Sequence, residues 1–81
     1  TNDDDFIQVS VYDINDNFLE SAIVKNEDYG YNQNGNIKLK TGTILRRMGY
    51  DRGRFNVKYH FRGLFFFHLL IFSLMVLHPI L

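Results

Sequence analysis

The chain has no cysteine and no tryptophan, and its single proline is Pro79. Without cysteine there is no disulfide framework, no thiolate zinc site and no cysteine nucleophile, while the redox compartment stays open. Formal charge is missing from a whole region, since no Asp, Glu, Lys or Arg occurs from Gly63 to Leu81. No Gly-x-Ser-x-Gly elbow, phosphate loop or dinucleotide fingerprint is present. With 81 residues the chain holds one small domain and cannot easily enclose a preorganised pocket. These absences point away from catalysis, so no catalytic residue, cofactor or metal is expected. The chain opens on Thr1 rather than Met, which reads as a fragment, a processed product or an excised piece.

What charge there is falls into two blocks. Residues 1–36 hold eight acids (Asp3, Asp4, Asp5, Asp13, Asp16, Glu20, Glu27, Asp28) against Lys25 alone. Residues 37–62 hold eight bases (Lys38, Lys40, Arg46, Arg47, Arg52, Arg54, Lys58, Arg62) against Asp51 alone. Such asymmetry marks either a nucleic-acid or membrane partner, or acidic and basic strands facing each other across a sheet.

Hydrophobic period places the elements. Residues 1–5 read as a disordered acidic lead-in. Over Phe6–Asp13, Ile7, Val9 and Val11 alternate with Gln8, Ser10 and Tyr12, the period of a half-buried strand. The turn formers Asp13 to Asn17 lead to a second strand over Phe18–Lys25, with Phe18, Ala22 and Val24 on one face and Leu19 and Ile23 on the other. The pair reads as an antiparallel hairpin. Asn26–Gln33 is polar and reads as loop or irregular edge. Asn34-Gly35 signals a tight type I′ turn, followed by a short third strand at Ile37–Lys40.

Thr41 to Gly49 reads as one helical turn, capped by Thr41 or Thr43, with Arg46 and Arg47 at its negative end and Gly49 at the left-handed position beyond it. After the turn Tyr50–Gly53 comes the clearest pattern in the chain: Phe55, Val57, Tyr59 and Phe61 on one face, with Arg54, Asn56, Lys58, His60 and Arg62 on the other. Ile44, Leu45 and Met48 are expected to pack on that apolar face. The fold class is therefore mainly β, a small antiparallel sheet of about four strands, sandwich-like or α+β, over residues 6–62. A module of that length buries only ~60% of its unfolded surface, which favours a piece that leans on a neighbour.

Residues 63–81 form an apolar tail. Leu64–Leu81 is broken only by His68, Ser73, His78 and Pro79. As a helix it spans about 27 Å at 1.5 Å per residue, close to the ~30 Å hydrocarbon core of a bilayer. In that reading it is a tail anchor, and the preceding bases place the N-terminal domain in the cytoplasm. A buried strand or helix completed by another chain is a second reading. The third is a stretch foreign to the domain, as a reading-frame slip near Arg62 would produce.

Candidate chemistry is thin. Asp13-x-Asn15-x-Asn17 echoes a calcium loop, but Phe18 and Val24 stand where Gly and a bidentate Glu are needed. His60, His68 and His78 lie eight and ten residues apart with no acid after Asp51, unlike a metal site. A basic face of Arg54, Lys58 and Arg62, helped by Arg46, Arg47 and Arg52, can track phosphates as a weak nucleic-acid site. The alternative is a solvated sheet face paired with acids of the first hairpin.

The run FIQVSVYD, the DINDNFLES turn and NGNIKLKTGTILRRMGYDRGRFNVKYHF resemble small β-rich modules in virion structural proteins of marine tailed bacteriophages, of the tail or fibre type. The matching positions are Val9, Val11, Tyr12, Asp13, Leu19, Glu20, Leu39, Gly42, Leu45, Arg46, Gly49, Tyr50, Gly53, Phe55, Val57, Tyr59 and Phe61, within residues 6–62. The resemblance implies a non-enzymatic structural or protein–protein interaction module located in a virion. Its partners would be other structural subunits or the rest of a longer chain. The family pattern continues into further polar, β-rich sequence, and Leu64–Leu81 departs from it.

Overall fold

The strand with the strictest alternation lies inside the main sheet. In the computed structural model, which describes residues 5–63 and 70–79, β1 (Phe6–Tyr12), β2 (Phe18–Ile23), β5 (Gly53–Arg62) and β6 (Leu70–Leu77) form a four-stranded sheet in the order β2-β1-β5-β6. All three pairings are antiparallel. Val9 lies opposite Tyr59 and Val11 opposite Val57, so the apolar sides of β1 and β5 coincide. Ile7, Val9, Val11, Val57, Tyr59 and Phe61 are buried there, as the period-two pattern requires.

One layer covers that face. It consists of α1 (Thr41–Arg47), a 3-10 turn (Asn26–Asp28) and a separate hairpin of β3 (Tyr29–Tyr31) with β4 (Ile37–Leu39). Ile44 and Leu45 of α1 enter the core, and Tyr29, Ile37, Leu39, Met48 and Phe55 pack around it. A helix of seven residues cannot stand alone, so this burial is what holds it. The Tyr59 hydroxyl reaches through the core to donate to Thr41 Oγ1 at 2.9 Å.

The helix ends as a Schellman motif. Gly49 N–H bonds the Arg46 carbonyl, Tyr50 N–H bonds the Leu45 carbonyl, and Gly49 takes the left-handed φ of 105° expected of it. Its start differs from expectation: Lys40 is the N-cap, no side chain caps the first amides, and the Thr41 hydroxyl is spent on Tyr59.

Other details of the pairing also correct the sequence reading. Ile37–Leu39 does not join the main sheet but pairs with Tyr29–Tyr31, a segment expected to be loop or irregular edge. Between them Gly35 alone has positive φ, so the turn is not type I′; Asn32 closes it by accepting the Asn34 and Asn36 amides at 2.9 and 3.0 Å. A bulge shifts register between Val11 and Tyr12. It turns Phe18 away from the core, edge-on to Tyr12 at 5.6 Å.

The largest correction concerns the tail. Leu70–Leu77 is a strand and not a helix. Its pairing runs from Gly53↔Leu77 to His60↔Leu70, so it satisfies backbone groups along the second edge of β5 that a helix would leave bare. The strand makes Leu77 part of the core, with Ile71 and Met75 packed against it. Among the described residues no helix is long and apolar enough to cross a membrane. The acidic lead-in except Asp5, and residues 64–69 and 80–81 of the tail, lie outside the described residues.

An ion pair locks the covering layer to itself. Asp28, at the end of the 3-10 turn, is 2% exposed and accepts from the Arg47 guanidinium of α1. Glu27 adds a longer contact to Arg47 at 3.8 Å. The hydrogen bond to Asp28 raises the Arg47 pKa and keeps it charged. The second carboxylate oxygen of Asp28, Oδ1, has no hydrogen-bond partner.

Two outcomes are expected. Tyr59→Ala removes a fully buried aromatic and should cost about 3–5 kcal/mol, enough to unfold a domain this small, whereas Tyr59→Phe loses only the Thr41 bond, about 1 kcal/mol. Urea unfolding monitored by circular dichroism measures both. For the ion pair, Arg47→Met alone should lower the melting temperature more than the double change Asp28→Leu/Arg47→Met. The single change strands a buried carboxylate and the double change does not.

Candidate functional site

The sheet has a covered face and an open one. On the open side stand Phe6, Gln8, Ser10 and Tyr12 of β1 and Arg54, Asn56, Lys58, His60 and Arg62 of β5, as the register dictates. Leu70, Phe72, Leu74 and Val76 of β6 continue that side. No layer of the described residues lies over it. Its rim is apolar: Phe72 is 64% exposed, Leu74 58%, Val76 42%, and Phe18 and Ile23 on the far edge 58% and 59%. Exposed aliphatic and aromatic side chains aligned on one surface mark an interaction site more often than scattered ones do.

The six basic residues are not brought onto one surface. Arg54, Lys58 and Arg62 share the open side of β5, roughly 13 Å apart at four residues of strand each. Arg46 and Arg47 belong to α1 on the covered side, where Arg47 is taken by Asp28 and Glu27 and Arg46 donates to the His78 carbonyl just past β6. Arg52 lies in the turn before β5 and lines, with Arg46, Asp51 and Pro79, a groove of about 430 Å³. Lys58 stands between two rings, its Nζ 4.6 Å from the centre of Tyr12 and 5.1 Å from that of Phe72.

Of the acids in the first hairpin, none lies opposite this face on β1, and Asp16 of the hairpin turn lines a groove beside Lys58. Opposite Arg62, His60, Lys58 and Asn56 on β1 stand Phe6, Gln8, Ser10 and Tyr12, none of them acidic. Glu20 of β2 lies opposite Val11, on the covered side, and accepts from the Tyr50 hydroxyl at 2.6 Å. Burial and that hydrogen bond push the Tyr50 pKa up to about 12. Burial also raises Tyr59.

That groove beside Lys58, of about 420 Å³, is lined by Asp16, Asn56, Phe72, Ser73 and Leu74 among others. Asp13 is spent inside its own turn: it accepts the Asn17 and Asn15 amides at 2.8 and 2.9 Å and the Asn17 side chain at 3.1 Å. Those bonds, Asn17 foremost, lower its pKa. His60 and His78 lie at opposite ends of the β5–β6 ladder, and among the described residues no three His, Asp or Glu side chains gather. His68 lies outside the described residues.

The exposed row on β6 is what the sequence reading missed. Phe72, Leu74 and Val76 face water while Ile71, Met75 and Leu77 pack inward. Both sets are apolar, so no alternation shows. The available signal was the uniform run itself, bounded by a strand of strict period on one side. The chain matches no known family model, no curated protein and no solved structure.

The Tyr50–Glu20 contact predicts an alkaline weakness. Because the folded pKa of Tyr50 stands above its ordinary value of 10.0, its contribution to stability is complete below pH ~10 and is lost as pH rises towards 12. Melting temperatures measured across that interval should fall, and Tyr50→Phe should make the fall shallower.

Proposed function

We propose that the chain is a non-enzymatic structural module that works by presenting the open side of its sheet to a neighbouring protein in a larger assembly. The observation that carries this reading is the one-sided cover: α1 and the β3–β4 hairpin seal one face, and the other displays Phe18, Ile23, Phe72, Leu74 and Val76 to solvent. A small domain gains stability by completing such a surface, because each buried apolar side chain contributes about 1.5–3 kcal/mol. The polar middle of the face, with Asn56, Lys58 and His60 between the apolar rims, gives a partner hydrogen-bonding groups that fix orientation.

The assembly is a phage virion in this proposal, with the module in a tail or fibre-type component. The support is the resemblance carried by residues 6–62, whose matched positions are mostly strand apolars and glycines, the helix-ending Gly49 among them. Function in that setting is mechanical: rigid β1 and β5 hold the contact side chains in register while the partner covers them.

Particles purified from the source of the sequence and digested for mass spectrometry provide the test. Peptides of residues 6–62 at a copy number comparable to known structural subunits are the expected result. Their absence from washed particles, with the protein present in the surrounding lysate, overturns the virion assignment.

A further inference from the structure

The two edges of the main sheet are unlike. β2 is six residues long, interrupted by the bulge opposite Val11 and Tyr12, and carries Glu20. Bulges and charges of this kind blunt an edge against pairing with another chain. β6 has neither protection: Leu70–Leu77 is eight residues of unbroken strand with no charge, no proline and no recorded bulge against β5. Among the described residues no other strand of the sheet lies beyond its outer row of backbone groups.

We infer that β6 pairs antiparallel with β6 of a second copy of this chain, joining two sheets into one across a two-fold axis. The inference deepens the proposed function, resting on the same exposed side, and commits its edge to a copy of the chain. Three features of the molecule select this occupant. First, β6 is neutral, so its copy meets no like charge. On the open side of the neighbouring strand the charges are Arg54 and Lys58, one strand back on β5, while Arg46 meets the chain at the His78 carbonyl beyond the end of β6. Across the axis Arg54 and Lys58 stand three strand spacings from those of the copy, about 14 Å, beyond the ~8 Å screening length at physiological salt.

Second, a two-fold axis normal to the sheet keeps open side against open side. Faces match whenever a residue lies on the axis, and Ser73 or Leu74 there gives the longest overlap of Leu70–Leu77; either register brings exposed Phe72 and Leu74 beside residues of the same apolar row. Third, the alternative of β6 against β2 would join unlike edges head to tail and grow without closing. The bulge and Glu20 oppose that arrangement.

Sedimentation equilibrium of the full chain over a wide concentration range reads the inference directly. A 9.6 kDa chain should shift reversibly to a species of ~19 kDa and stop there, as closed two-fold pairing requires. Leu74→Lys puts two ammonium groups at or next to the axis on a side chain already exposed. It should weaken dimerisation ~tenfold or more while the β-type circular dichroism and melting of the monomer persist.

Because the chain has no cysteine, Leu74→Cys and Ser73→Cys report register cleanly. Residues opposite each other on antiparallel strands lie ~4.5–5.5 Å apart at Cα, within disulfide reach. Mild oxidant should cross-link one of these two variants into a dimer and leave Ile23→Cys on the other edge monomeric. A single-chain mass at every concentration with the fold intact overturns the inference, as does growth beyond two copies or equal cross-linking through Ile23→Cys. A monomeric chain still found in particles removes the dimer and leaves the proposed function. A dimer absent from particles does the reverse.

Discussion

Much of this molecule follows from one strand having two sides. β5 offers Val57, Tyr59 and Phe61 to one side and Arg54, Asn56, Lys58, His60 and Arg62 to the other. The apolar side must be buried, and β1 supplies a matching row in register. A single sheet cannot close on itself with so few strands, so a second layer has to be built from what remains of the chain between β2 and β5. That layer is short and irregular: a seven-residue helix, a 3-10 turn and a three-residue hairpin. None of these pieces is stable alone.

Their mutual fastening explains a feature that is otherwise costly. A buried carboxylate is expensive, and replacing such ion pairs by apolar groups is often neutral or better for stability. Asp28 with Arg47 nevertheless ties the 3-10 turn to the end of α1, and the Asp28 carbonyl also accepts the Lys40 amide at 2.9 Å just before α1 begins. One residue thus touches both ends of the helix. Geometry of this kind fixes where α1 lies over the sheet, which generic apolar contact alone does not. The Tyr59–Thr41 bond serves the same end from the sheet side.

The legible parts of the fold were those with a period. β1 and β5 could be read from alternation, the α1 stop from Arg46-Arg47-Met48-Gly49, and the core set Ile44, Leu45, Val57, Tyr59 and Phe61 from both. What could not be read is non-local. Ile37–Leu39 looks like any short strand, and only its pairing with Tyr29–Tyr31 decides which sheet it joins. Phe18 changes sides because of a bulge, a defect of register that leaves no mark in composition. The six bases looked like one face because strand and helix residues were read together, whereas the sheet stands between Arg54, Lys58 and Arg62 and the two arginines of α1. The tail lost its strand signal because an edge strand with apolar residues on both sides has no alternation to show.

That last point bears on function. An edge strand exposed on one side is ordinarily polar there, and β6 is not: Phe72, Leu74 and Val76 stand where a solvated sheet would carry charges. The strand beside it does carry them, so the chain has the means to make a polar face and does so one strand away, at Arg54, Lys58 and Arg62. The contrast argues that the apolar strip on β6 is matched to something that covers it, while the middle of the sheet stays wet. If a second copy covers the edge, the two open sides become one continuous surface with paired apolar rows at its centre and basic and polar rows to either side. A partner in a larger assembly would then meet a symmetric platform rather than a ragged edge. The same pairing would remove the unprotected strand edge that makes a small open sheet prone to aggregate.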